Sequence, residues 1–125
     1  MRTGQPTILL VDDDPQIVRA LLPALEVNGL NVTVATCGKS AMLQAESNSW
    51  HAAVVDVGLP DMSGMHVVDY LAGQRSTPVI IISAQQLQSP QKAGRGAAVH
   101  FLHKPFRTPQ LLDRLRQVLA DASHF

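Results

Sequence analysis

Several polar side chains in this chain stand directly behind apolar runs, and their types suit phosphoryl chemistry. Asp12, Asp13 and Asp14 follow Thr7–Val11, and Asp56 falls at the end of Ala52–Val57. Ser83 follows Val79–Ile82, and Lys104 comes just after Val99–Leu102. Crowded carboxylates repel and raise each other's pKa unless a cation neutralises them. Mg²⁺ suits such a set, because it takes hard oxygen ligands, keeps several waters and leaves room for a phosphate. Lys104 is a compact second cation able to reach a phosphoryl oxygen, and Ser83 offers a hydroxyl donor. Together they could bind a phosphoryl group or accept one on a carboxylate nucleophile.

Taken singly, each residue has a plainer reading. Asp12–Asp14 can cap a helix, Asp56 can turn the chain at a strand end, Ser83 can be a loop hydroxyl and Lys104 can be solvated. The joint pattern carries the weight, because each residue falls at the carboxyl end of a strand. In open parallel sheets that edge is where sites lie.

The elements that must position them alternate. Thr7–Val11, Ala52–Val57, Val79–Ile82 and Val99–Leu102 read as strands, mostly apolar as expected when both faces are covered. Asn31–Ala35 alternates polar and apolar and reads as a more exposed strand. Asp14-Pro15 reads as an N-cap with proline at the first helical position, opening a helix that Asn28-Gly29 stops. Pro23 lies inside that helix and predicts a kink or distortion. Ser40–Asn48 reads as a short, weak helix, Met65–Gln74 as a helix and Thr108–Ala122 as the clearest helix, with Arg114 and Arg116 toward solvent. Between the last two strands, Gln85–Gly96 holds Pro90, Gly94 and Gly96 and reads as a short helix or loop. Five strands alternating with helices predict an α/β fold with a doubly wound parallel sheet.

Composition bounds the rest. The chain has 125 residues, fitting one domain over 1–125. Its ten Lys and Arg balance ten Asp and Glu. That balance gives no basic footprint for direct nucleic-acid binding and no polybasic arm for a membrane surface. The single Cys37 excludes an internal disulfide and a multi-cysteine zinc site. No run approaches a membrane span, and Met1–Pro6 does not read as a signal peptide, so a cytoplasmic location is expected.

Four stretches in order, Ile8–Asp14 (ILLVDDD), Val54–Gly64 (VVDVGLPDMSG), Ile81–Ala84 (IISA) and Phe101–Phe106 (FLHKPF), resemble the response-regulator receiver domain of bacterial two-component signalling. The resemblance covers a core of about 7–119. It implies a flavodoxin-like sheet of strand order 2-1-3-4-5, with a fourth helix that is short or irregular here. By this resemblance Asp56 is the phosphoacceptor, Asp13 the direct Mg²⁺ (or Mn²⁺) ligand and Asp12 a partner acting through water. Asp56 is also a ligand of the metal, and Gly58 gives it its backbone carbonyl. Ser83 and Phe101 are the switch pair, and Lys104 pairs with the phosphate and precedes a cis Pro105.

The resemblance also implies a partner and a mechanism. A sensor histidine kinase or phosphotransfer protein donates a phosphoryl group to Asp56. The product draws in Ser83 and Lys104, and Phe101 turns inward. A two-state equilibrium then shifts on the face read by a downstream output domain or partner protein. Such a protein is not an enzyme except upon itself. Two departures stand out. The Ser83-to-Lys104 spacing is slightly short and the fourth helix poorly specified, so the usual dimer face through that helix is expected to be unused. Gly58 also lacks a side chain where the family tunes water access.

Other signals are weaker. Gly38-Lys39-Ser40 resembles the end of a phosphate-binding loop, but its first glycine would fall at Thr33. The five histidines show no ligand spacing, and His100 and His103 are expected to be exposed or partly satisfied. Cys37 reads as a small residue at a helix start. A phosphatase of the haloacid dehalogenase type would need a second Asp where Gly58 stands. A degenerate receiver serving as a constitutive protein-binding domain is the alternative.

Overall fold

The computed structural model describes residues 4–84 and 99–122. The strands are β1 (Thr7–Val11), β2 (Asn31–Ala35), β3 (Ala52–Asp56), β4 (Val79–Ser83) and β5 (Val99–His103). The helices are α1 (Pro15–Val27), α2 (Gly38–Ser47), α3 (Gly64–Val68) and α4 (Thr108–Ala122). The sheet has five strands in the order β2-β1-β3-β4-β5, every neighbouring pair parallel. This is the doubly wound arrangement expected. Gln85–Gly96, where a short or irregular fourth helix and the question of a dimer face were placed, lies outside the described residues.

Alternation along the strands sorts the core into two layers. Leu9, Val11, Ala53, Val55, Val79 and Ile81 face α2 and α3. Ile8, Leu10, Ala52, Val54, Ile80 and Ile82 face α1 and α4, where Leu21, Leu25, Leu111 and Leu115 meet them. β1, β3 and β4 are central and read as continuous apolar runs because both faces are buried. β2 is an edge strand, and its first four residues are only half-buried, as its mixed sequence predicts.

Local chemistry explains most boundaries. Asp14 caps α1, its carboxylate accepting from Gln16 N at 2.9 Å, with Pro15 at the first helical position. Asn28 caps the other end, and Gly29 follows with a left-handed φ of 86°. α1 continues through Pro23, which sits exposed inside it. α2 begins two residues earlier than its apolar pattern suggests. Asp61, distant in sequence, accepts hydrogen bonds from Gly38 N and Lys39 N. Its other end is held by Trp50 Nε1, which donates to Gln44 O at 3.0 Å, and by Arg75, which donates to Glu46 O and Asn48 O.

Two expectations change. The segment read as one helix over Met65–Gln74 is α-helical only through Val68, and Asp69–Gln74 is a π-helical turn. Arg75 N correspondingly donates to Tyr70 O, five residues back. An apolar stripe this short does not distinguish the two helical periods. Arg114 is not directed to solvent. It is half-buried, and its Nη1 donates to Phe101 O at 3.2 Å. β5 lies at the sheet edge, where carbonyls facing away from β4 have no ladder partner, and Arg114 supplies a donor to one of them. Among the described residues, no helix is long and apolar enough to cross a membrane.

Candidate functional site

Backbone ladders carry the polar residues to one edge. Asp12 extends β1, its N–H donating to Ala35 O at 3.1 Å. Asp56 is the last residue of β3 and stands opposite Ile82. Ser83 ends β4, and Lys104 N donates to Ser83 O at 2.7 Å, which continues the β4–β5 pairing. Side-chain alternation then decides the faces. Asp12 and Asp56 continue the rows of Leu10 and Val54 on the α1–α4 side, and Lys104 follows Leu102 on that side. Ser83 and Phe101 continue the opposite row, where Phe101 packs against the core that holds Ile81.

The carboxylates of Asp12, Asp13 and Asp56 each place an oxygen within 4.8 Å of the others. Asp12 is fully buried and Asp56 is 6% exposed, whereas Asp13 is exposed. Lys104 Nζ lies 3.2 Å from Asp12 Oδ2 and 3.1 Å from Asp56 Oδ2. It hydrogen-bonds the Asp56 oxygen and is ion-paired with the buried Asp12 Oδ2. Asp12 Oδ1 accepts from Asp14 N at 2.9 Å, and Asp56 Oδ1 accepts from Gly58 N at 3.0 Å.

Burial pushes the Asp12 carboxyl above its usual range, the negative charge of Asp56 adds to this, and the Asp14 amide and Lys104 only partly offset it. Burial alone would lower the Lys104 pKa, but its hydrogen bond to Asp56 and the charges of Asp12 and Asp56 raise it. The group is therefore short of positive charge. A buried carboxylate with two further carboxylates beside it is a donor set that fits a hard divalent cation such as Mg²⁺.

The loop after β3 completes the edge. Gly58 bridges to Ser63, and Gly64 N donates to Val57 O at 2.9 Å. A Cβ at Gly64 would overlap the carbonyl oxygen of Asp56, so glycine is required for α3 to start this close to the acidic strand end. A Cβ at Gly58 would meet only Asp56 Oδ1, at an ordinary 3.7 Å. The Lys104–Pro105 peptide is cis, as the family resemblance implies. Beside the acidic group, an open cavity of about 510 Å³ runs between α1 and the start of α4. Ile17, Leu21, Pro105 and Phe106 line it, with Asp14 and Lys104 also on its wall.

Every predicted site residue therefore lies at the carboxyl edge, except Phe101, which stands mid-strand in β5, two residues before its end. Asp61 and Arg114 escaped the sequence reading. Each acts on backbone groups far away in the chain, and no local pattern announces such a bond. His100 is half-buried, and its Nε2 is buried without a hydrogen-bond partner among the described residues.

A sheet of this order with an acidic cluster and a lysine at its carboxyl edge is the arrangement of a signalling receiver. The chain matches the response regulator receiver domain family over residues 8–116 and belongs to that family. It is 39% identical over 110 residues to the transcriptional regulatory protein KdpE of Mycobacterium tuberculosis, covering 87% of this chain and 49% of that protein. The chain thus spans about half the length of that relative. Among solved structures it resembles the receiver domain of Francisella response regulator 1452, at 30% identity and TM-score 0.81, covering 95% of this chain and all of that one. It also resembles the receiver domain of sensor histidine kinase PA1611 from Pseudomonas aeruginosa. That match has 28% identity, TM-score 0.76 and coverage of 94% and 99%. The PA1611 structure holds a magnesium ion in its active-site cleft. The chain is thus a receiver domain of the two-component response-regulator family, not a member of a classical enzyme family. No observation favours a degenerate receiver.

Proposed function

We propose that Asp56 accepts a phosphoryl group and that Asp12, Asp13, Asp56 itself and the Gly58 carbonyl hold Mg²⁺ or Mn²⁺. The observation that carries this reading is the convergence of three carboxylates, Asp12, Asp13 and Asp56, at the strand ends, with the Lys104 ammonium beside two of them. The bound cation would offset charge on the transferring phosphoryl oxygens. Asp56 supplies the attacking oxygen. Its Oδ1 is held by the Gly58 amide and its Oδ2 by Lys104, so the carboxylate is oriented before the donor arrives. Attack by one carboxylate oxygen on phosphorus forms the new P–O bond as the bond to the donor breaks, and the electron pair leaves with the donor. Lys104 then moves from Asp56 to a phosphoryl oxygen and remains as counter-charge.

The donor in this reading is a phosphohistidine on a sensor kinase or phosphotransfer protein, and the apolar cavity beside Asp14 and Lys104 is its landing ground. Ser83, 5% exposed, follows the phosphoryl group, and Phe101 turns into the space left behind. The shift reaches an output domain or partner protein through β4, β5 and α4. Moving such an equilibrium from 1:99 to 99:1 takes about 5.5 kcal/mol of differential stabilisation. The chain catalyses only its own phosphorylation and dephosphorylation, and it works in the cytoplasm as one receiver domain over 1–125.

Intact mass after incubation with acetyl phosphate and Mg²⁺ tests the reading. Wild type should gain one phosphoryl group and Asp56→Asn none. No gain in wild type would overturn it.

A further inference from the structure

We propose that Asp61 is a positioning residue for the divalent-cation site, acting by tying the loop after β3 to the start of α2. This rests on the reading of Asp12, Asp13, Asp56 and the Gly58 carbonyl as the cation's holders. Asp61 does not touch that group. Its Oδ1 accepts from Gly38 N at 2.7 Å and its Oδ2 from Lys39 N at 2.9 Å. Both are first-turn amides with no partner inside the helix, so the carboxylate serves them as a cap donated from another loop. These two amides hold the Asp61 carboxyl below its usual range.

Topology gives this bond its consequence. β1 lies between β2 and β3 in the sheet. α2 begins just after β2, and the Asp61 loop begins just after β3. The bond therefore joins the chain on either side of β1, the strand that delivers Asp12 and Asp13. It limits how far the β3 side can move from the β1 side. One further contact locks the same joint, and another fixes the loop to the end of β3. Met62 packs so closely on Gly38 that a Cβ there would overlap its Cγ, and Gly64 lies against the carbonyl of Asp56. Gly58 sits inside this braced loop, bridged to Ser63, with its N–H on Asp56 Oδ1.

A cation held by groups from β1 and from the loop after β3 needs the two at a fixed spacing. Mg²⁺ is exacting here, since it demands near-ideal octahedral geometry. Release of the Asp61 bond lets the Gly58 loop drift and weakens the cation without removing any ligand. The arrangement resembles the outer partners that orient ligands in metal sites, except that the oriented ligand is a backbone carbonyl.

The test uses the full chain and Mn²⁺ alone, titrated by calorimetry, with hydrogen exchange at the Gly58 amide read in metal-free protein. Asp61→Ala should weaken Mn²⁺ binding about tenfold, the low end of the cost of losing an outer partner. It should also speed exchange at Gly58. Asp61→Asn keeps an acceptor oxygen and should fall between Asp61→Ala and wild type. Arg75→Ala frees the opposite end of α2 and should lower the melting temperature while leaving Mn²⁺ affinity and Gly58 exchange unchanged. If Asp61→Ala binds Mn²⁺ as wild type does, or if Arg75→Ala weakens it equally, the positioning role is overturned and the bond only stabilises α2. If wild type itself binds no Mn²⁺, the cation reading fails and this inference fails with it.

Discussion

Lys104 Nζ lies 3.1 Å from Asp56 Oδ2, although β4 runs between the strands that carry the two residues. The same ammonium stands 3.2 Å from Asp12 Oδ2. Lys104 therefore occupies ground a divalent cation would share, and two positive charges in one site oppose each other. Its removal should tighten cation binding while slowing phosphoryl transfer. Lys104→Met should bind Mn²⁺ about tenfold more tightly, less than unscreened Coulomb repulsion gives because the lysine keeps an exposed flank. Its rate of phosphorylation by acetyl phosphate should fall. Weaker Mn²⁺ binding in Lys104→Met would show that the lysine organises the carboxylates rather than competing for them.

Gly58 leaves the approach to Asp56 open. A Cβ at that position meets only Asp56 Oδ1 at ordinary contact distance, so a side chain fits without moving the backbone. A long side chain there should screen the acyl phosphate from water. Gly58→Arg should lengthen the phosphorylated lifetime severalfold, measured by loss of the added mass after donor removal. An unchanged lifetime would mean that water arrives from another side.

Gly64 is the opposite case. Its α-carbon sits against the Asp56 carbonyl, and backbone cannot yield as a flexible side chain can. Gly64→Ala should destabilise the domain by about 1–3 kcal/mol, the usual cost of overpacking. Urea unfolding measures this directly. A change under a few tenths would show that α3 can slide.

His100 links stability to pH. Burial lowers its pKa, and the charge of Arg114 adds to this while Asp121 opposes it. The folded state therefore resists a proton that the unfolded chain takes up below about pH 6.5. Above that pH both states are neutral and nothing is lost. As pH falls through it, the unfolded state gains the proton first and stability drops. Wild type should lose more melting temperature between pH 7.5 and 5.5 than His100→Leu. Equal slopes would place the pH dependence on other groups.

The sheet and its site were largely legible in the chain because the information is local. Apolar runs end in Asp12, Asp56, Ser83 and, one residue on, Lys104, and parallel pairing alone brings those ends together. Asp14-Pro15 and Asn28-Gly29 mark the ends of α1 by their own chemistry. What escaped depends on partners distant in sequence. α2 starts at Gly38 because Asp61 caps it, and Arg114 turns inward because the edge carbonyl of Phe101 needs a donor. The π-helical turn after Val68 was hidden because ten residues of apolar stripe fit either helical period.

The central claim is that the phosphoryl group resides on Asp56, and reductive trapping addresses it most directly. Borohydride converts an aspartyl phosphate to homoserine, leaving a permanent mark at the acceptor. After acetyl phosphate and Mg²⁺, peptide mass mapping of the reduced protein should find homoserine at position 56 alone. Homoserine at position 12 or 13, or at none, would contradict the account.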